Sequence, residues 1–181
     1  HVLIKIADGI YTYNYDFTRK VDLVPAVALE LRKKGIQVWG WHYVYGYNPL
    51  GEAKIAIQRT QQLQLDGYVI DAEGEYKEAG KAAAATKYVD ALRASLPNTP
   101  IALCSYRYPS YHPAFPWKEF LAKSNYHMPQ VYWEQAHNPG AQLTKSYNEF
   151  QNKTPIRPYL VLRTAMSWKA ERSFSKARHS S

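Results

Sequence analysis

The chain has 181 residues, 46% of them hydrophobic, and a net charge of +8. That is enough for one domain with a sizeable core, and too apolar for disorder throughout. No apolar run approaches the ~20 residues that a bilayer span needs, and the opening HVLIKIADG lacks the regions of a signal peptide, so no membrane span is expected. Residues 163–181 hold Arg163, Lys169, Arg172, Lys176 and Arg178 against Glu171 alone. The remaining lysines scatter along helix faces, a pattern that speaks against a specific nucleic-acid partner. An anionic polymer can still feel the general field. Cys104 is the sole cysteine, so no internal disulfide forms, and its apolar run Ile101–Tyr106 reads as the setting of a packed, inert thiol.

Taken in chain order, β-rich runs alternate with amphipathic ones. Strands are predicted at Val2–Ala7, Ile36–Tyr45, Gly67–Asp71, Ile101–Tyr106, Met128–Trp133 and Ile156–Val161. Helices are predicted near Val21–Lys34, Gly51–Leu65, Ala79–Leu96, Trp117–Lys123 and Gln142–Asn152. The spacing of Val24, Val27, Ala28 and Leu31 is helical rather than alternating. Gly35 after Lys33 and Lys34 is a helix stop with cations at the negative dipole end. Residues 163–181 read as a basic tail, disordered or a divergent end, with a basic helix around Trp168 as the minor alternative.

Six strands separated by helices predict repeated βα units and a parallel sheet, hence an α/β fold. A doubly wound sheet and a (β/α) TIM-type barrel both fit this alternation. The barrel is preferred because Asp8, Tyr45, Asp71, Glu73, Tyr106 and Glu134 all fall at carboxyl ends of strands, where barrel enzymes build their sites. About six βα units are visible over residues 1–162, so the first and last strands of an eight-stranded barrel are expected to be missing or divergent. Open edges of that kind invite self-association. GxGxxG and Walker A patterns are absent, so no nucleotide cofactor is expected.

The most informative stretch is LDGYVIDAEGEY. Strand alternation puts Val69, Asp71 and Glu73 on one face and Tyr68, Ile70 and Ala72 on the other. Two acids on the inner face would raise each other's proton affinity, so one can act as an acid while the other stays ionised. Glycosidic cleavage requires that division. The plainer alternative is that the pair caps the next helix or pairs with Lys5 or Lys77. Glu75 and Glu78 read as solvent-facing or first-turn acids. No HxH, HExxH or paired-cysteine spacing accompanies His42, His112, His127 and His137, so no metal site is expected. No GxSxG elbow is present either.

These strands resemble those of glycoside hydrolase family 25, the lysozyme-type muramidases. HVLIKIADG is similar to that family's second barrel strand, GYVIDAE to the fourth, and PIALCSYRYP and MPQVYWEQ to the fifth and sixth. DGYVIDAE is also similar to the DGxDxDxE signature of family 18 chitinases. Asp66, Gly67, Asp71 and Glu73 match it, and Val69 stands where the signature has its middle aspartate. The resemblance implies Glu73 as general acid and Asp71 as the group orienting the substrate's 2-acetamido oxygen, which attacks the sugar carbon with retention of configuration. The implied substrate is an N-acetylhexosamine polymer, peptidoglycan or chitin-like, with no cofactor. Asp8, Tyr45, Tyr106, Gln130 and Tyr132 are expected to bind substrate, and Trp39, Trp41 and Trp133 either stack on sugar or pack the core. The chain departs from family 25 in lacking visible counterparts of its first and eighth strands, which carry further aspartates. A catalytically inactive or truncated barrel that binds carbohydrate is therefore the alternative. A muramidase would work outside the cell or at its wall; localisation stays open.

Overall fold

A computed structural model describes residues 1–132, 138–153 and 158. Its strands are β1 (Val2–Asp8), β2 (Tyr11–Thr12), β3 (Tyr15–Asp16), β4 (Val21–Asp22), β5 (Val38–Val44), β6 (Gly67–Ala72), β7 (Ile101–Tyr106) and β8 (Tyr126–Gln130). Its α-helices are α1 (Val24–Lys33), α2 (Pro49–Gln62), α3 (Lys81–Ser95), α4 (Trp117–Lys123) and α5 (Pro139–Lys153). The main sheet runs β2-β1-β5-β6-β7-β8, and every pair from β1 to β8 is parallel. Each new long strand adds beside the last in one direction. A doubly wound sheet reverses direction at a switch point, and none occurs among the described strands. Among the described residues the fold is an α/β arrangement with an unclosed, partly barrel-like sheet.

The two faces of the sheet divide the apolar residues as strand alternation requires. Tyr68, Ile70 and Ala72 join Ile6, Val38 and Val44 in the large core under the helices. Trp39, Val69, Ala102, Cys104 and Met128 form a smaller cluster on the opposite, inner face. Gly67 fits between them because a Cβ there would lie 2.3 Å from the Trp39 ring. Trp39 is thus core packing rather than a sugar platform.

Several predicted boundaries move. Val21–Asp22 is a short strand paired with β3, and α1 begins only at Val24, with Pro25 in its first turn, where a missing N–H costs nothing. The segment from Tyr11 to Asp22 forms two-residue pairings too short to leave an alternating signature. β8 spans Tyr126–Gln130 rather than Met128–Trp133, so Val131 and Tyr132 lie beyond the strand. The apolar-aromatic run there suits a strand by composition, but β8 keeps its register with β7, pairing Ala102 with Tyr126 and Tyr106 with Gln130. Trp133, Glu134, His137, the tail 163–181 and, apart from Pro158, the predicted strand Ile156–Val161 lie outside the described residues; His127 N donates to Pro158 O at 3.0 Å. No described helix is long and apolar enough to cross a membrane.

Candidate functional site

The acids end β6, buried on the inner face. Asp71 is 1% exposed and Glu73 7%. Parallel pairing sets Asp71 beside Tyr43 of β5 and Cys104 of β7. From β8, two strands away, the Gln130 amide reaches back over β7. Its Nε2 donates to Asp71 Oδ1 at 3.1 Å and to Glu73 Oε1 at 2.9 Å, and lies 3.7 Å from Cys104 Sγ. One nitrogen therefore sits within hydrogen-bond reach of both acids. Asp66 carries a different duty: its Oδ2 accepts from Val38 N at 2.8 Å and ties β6 to the start of β5.

Tyr43 extends the acid cluster. Its hydroxyl donates to Glu75 Oε2 at 2.8 Å. Burial, then the charges of Glu73, Glu75 and Asp71, push its pKa far above the usual phenol range, so it stays a neutral donor. Glu75, expected as a solvent-facing or first-turn acid, is half-buried in the turn after β6 and held by this bond. Tyr43 was not among the predicted site residues. The signal was the alternation of Trp41, Tyr43 and Tyr45, which puts all three on the face of Asp71.

A second group forms at the end of β1. Asp8 Oδ2 pairs with Lys5 Nζ at 2.8 Å, and Asp8 Oδ1 accepts from Tyr45 Oη at 2.8 Å. Lys5 and Asp8 are three apart, so strict alternation would send them to opposite faces. A β-bulge intervenes: Lys5 pairs with Trp41 but Ala7 with His42. The extra residue restores Asp8 to the inner face. Lys5 Nζ also lies 4.7 Å from the centre of the Trp41 ring. Tyr45 is held from behind, where Glu52 Oε1 accepts its N–H at 2.9 Å and Lys81 Nζ donates to its carbonyl at 2.9 Å. Its ring meets that of Tyr43 edge-on at 4.9 Å, which links the two groups. Lys5 serves Asp8, and Lys77 lies 5.0 Å from the Tyr106 ring centre with no ion pair among the described residues.

On the other side of Gln130 opens a cleft of about 380 Å³ lined by Tyr106, Arg107, Tyr108, Tyr111, His112, Gln130 and Tyr132. Tyr106 stacks on His112 at 3.6 Å. Burial and then the charge of Lys77 lower the His112 pKa, keeping that ring neutral near pH 7. The predicted residues thus fall into three adjoining parts: Asp71, Glu73 and Gln130; Asp8 and Tyr45; and Tyr106 with Tyr132. Gln130 belongs to the first and lines the third. Cys104 is buried, and desolvation followed by the Asp71 charge drives its thiol pKa well up, so it stays protonated. Among the described residues no three His, Cys, Asp or Glu side chains form a metal-binding group.

No protein-family model matches the chain, and no curated protein sequence does. Solved structures do. A chitinase from Chromobacterium violaceum ATCC 12472 superposes with a TM-score of 0.65 at 11% identity, over 97% of this chain and 68% of that one. The proposed sporulation-specific glycosylase ydhD of Bacillus subtilis gives 0.64 at 11% identity, over 97% of this chain and 71% of its own. At such identity the likeness is one of fold, shared with two carbohydrate-acting proteins.

Proposed function

We propose that the chain is a glycoside hydrolase-like protein that acts on N-acetylhexosamine polymers of the peptidoglycan or chitin type. Residues 1–162 would make up a TIM-type barrel whose first and last strands are missing or divergent, with 163–181 a basic tail. The observation that carries the reading is the pair of carboxyl groups held by the one Gln130 nitrogen. Two carboxyl groups brought to one donor are the kind of pair that glycosidic cleavage uses. In this reading Glu73, the more exposed of the two, protonates the leaving oxygen. Asp71 holds the acetamido group, whose oxygen displaces the leaving oxygen at the sugar carbon to form a cyclic oxazolinium ion; water then opens that ion in a second inversion, so the configuration is retained. Gln130 orients both acids, Tyr132 stacks on the sugar, and Tyr106, held against His112, contacts it from the cleft wall.

A second reading, a carbohydrate-binding barrel without catalysis, is favoured by the deep burial of both carboxyls and their absence from the lining of the aromatic cleft. Reducing-end release from chitin oligomers and from wall polysaccharide separates the two. The first reading expects turnover that Glu73→Gln abolishes while the fold persists. Binding without turnover in the parent protein establishes the second, and neither binding nor turnover removes both.

A further inference from the structure

The aromatic cleft beside the acids is rimmed by cations that form no ion pair among the described residues. Arg107 directly follows β7 and is fixed before any ligand arrives: its Nη1 donates to Tyr132 O at 3.0 Å and Gln142 Oε1 at 2.6 Å. Its carbonyl accepts from Ser146 Oγ at 2.6 Å, which pins the backbone to α5. Neither Nε nor Nη2 has a partner among the described residues. The guanidinium lies 5.1 Å from the centre of the Tyr108 ring, and Lys145 Nζ lies 4.4 Å from the same ring. Lys145 donates to Tyr111 Oη at 2.6 Å. Lys77 Nζ lies 5.0 Å from the centre of the Tyr106 ring. Glu149 accepts from Ser110 N at 2.9 Å and acts on Lys145 through its charge, but forms no ion pair with any of the three cations among the described residues.

We infer that this cleft selects a saccharide unit carrying a carboxylate, with the unengaged Nε and Nη2 of Arg107 as its receptor. Flat tyrosine faces suit the apolar side of a pyranose ring. A guanidinium with two free donors suits a carboxylate bidentately, and its anchored third nitrogen lowers the ordering cost. Lys77 and Lys145 add a field that favours an anion near Arg107. A neutral acetylglucosamine polymer would leave all three cations unused. The inference rests on the proposed polysaccharide function and narrows its substrate. A uronic acid and a 3-O-lactyl ether of N-acetylglucosamine offer the same carboxylate from different positions.

The test uses Glu73→Gln protein, so that ligands stay intact, and three tetrasaccharides in calorimetric titrations. One is N-acetylglucosamine alone, one alternates it with its 3-O-lactyl ether, and one alternates it with glucuronic acid. At least one acidic oligomer should bind about tenfold tighter than the neutral one, the worth of one charge-assisted contact. That margin should shrink with added salt and vanish when Arg107→Gln is added. The salt series needs no second variant, so it decides the matter even if Arg107→Gln misfolds. Equal binding of all three, without salt dependence, overturns the inference and leaves the polysaccharide reading standing. No binding by any overturns both.

Discussion

Lowering the pH should unfold this protein through a histidine far from any solvent. His42 is fully buried on the helix face of β5; its Nδ1 lies 2.8 Å from Tyr68 Oη and its Nε2 2.7 Å from Gly9 O. A carbonyl can only accept, so Nε2 carries the hydrogen and Nδ1 accepts from Tyr68, which in turn contacts the Tyr88 hydroxyl. Both ring nitrogens are occupied by the neutral form. Burial therefore lowers the pKa from 6.5 to about 4, against the opposing pull of the Gly9 carbonyl and Asp8. Between those values the unfolded chain binds a proton that the native chain refuses, so stability falls as pH drops from 6.5 to about 4. The displacement corresponds to about 3 kcal/mol, a large part of the stability of an ordinary domain. Glu52, whose pKa is raised by burial, works in the opposite sense above its unfolded value, so the comparison must be with His42→Gln, which keeps Glu52 and loses the imidazole. Urea unfolding followed by tryptophan fluorescence from pH 8 to pH 4 should show the wild type losing about 3 kcal/mol more than the variant. Parallel curves, or the His42 imidazole resonance titrating near 6.5 in the native protein, would refute the reasoning.

Two further outcomes follow from packing and charge. Gly67→Ala drives a methyl group into the Trp39 ring and should cost about 1–3 kcal/mol of overpacking strain in urea unfolding. Arg59→Met removes the buried guanidinium that bonds both Asp22 oxygens and lies 3.3 Å from Ile6 O. Burial raises the Asp22 pKa, but Arg59 outweighs it and holds the carboxyl below its usual value, so the variant should lose about 3 kcal/mol near pH 7. The loss should shrink as Asp22 protonates below pH 4, because the stability a depressed carboxylate lends is present only above its pKa.

Elements whose signals are local were legible. Ile101–Tyr106 and Trp117–Lys123 fall on the predicted residues because Pro100 and Pro116 mark where each begins and apolar spacing sets its period. The shared face of Val69 and Asp71 was legible for the same reason, since alternation needs only one strand. What depends on neighbours was not. The Ile6 bulge exists only in the pairing of β1 with β5, and without it Asp8 belongs on the wrong face. Gln130 read as a sugar contact because its reach to Asp71 depends on the register of three strands. The end of β8 was overrun because Val131 and Tyr132 have strand composition, while among the described residues the pairing with β7 ends at Gln130.

The Gln130 clamp also sets an order of events. It stands 59 residues after Asp71 and 57 after Glu73 in the chain. On the ribosome the acids emerge, and β6 can settle between its neighbours, well before the amide that holds them exists. Non-local contacts of this kind bear the loop-closure cost that slows folding. The pair therefore acquires this shared contact late, when β8 docks, and any chain interrupted before residue 130 carries both carboxylates without the amide that bridges them.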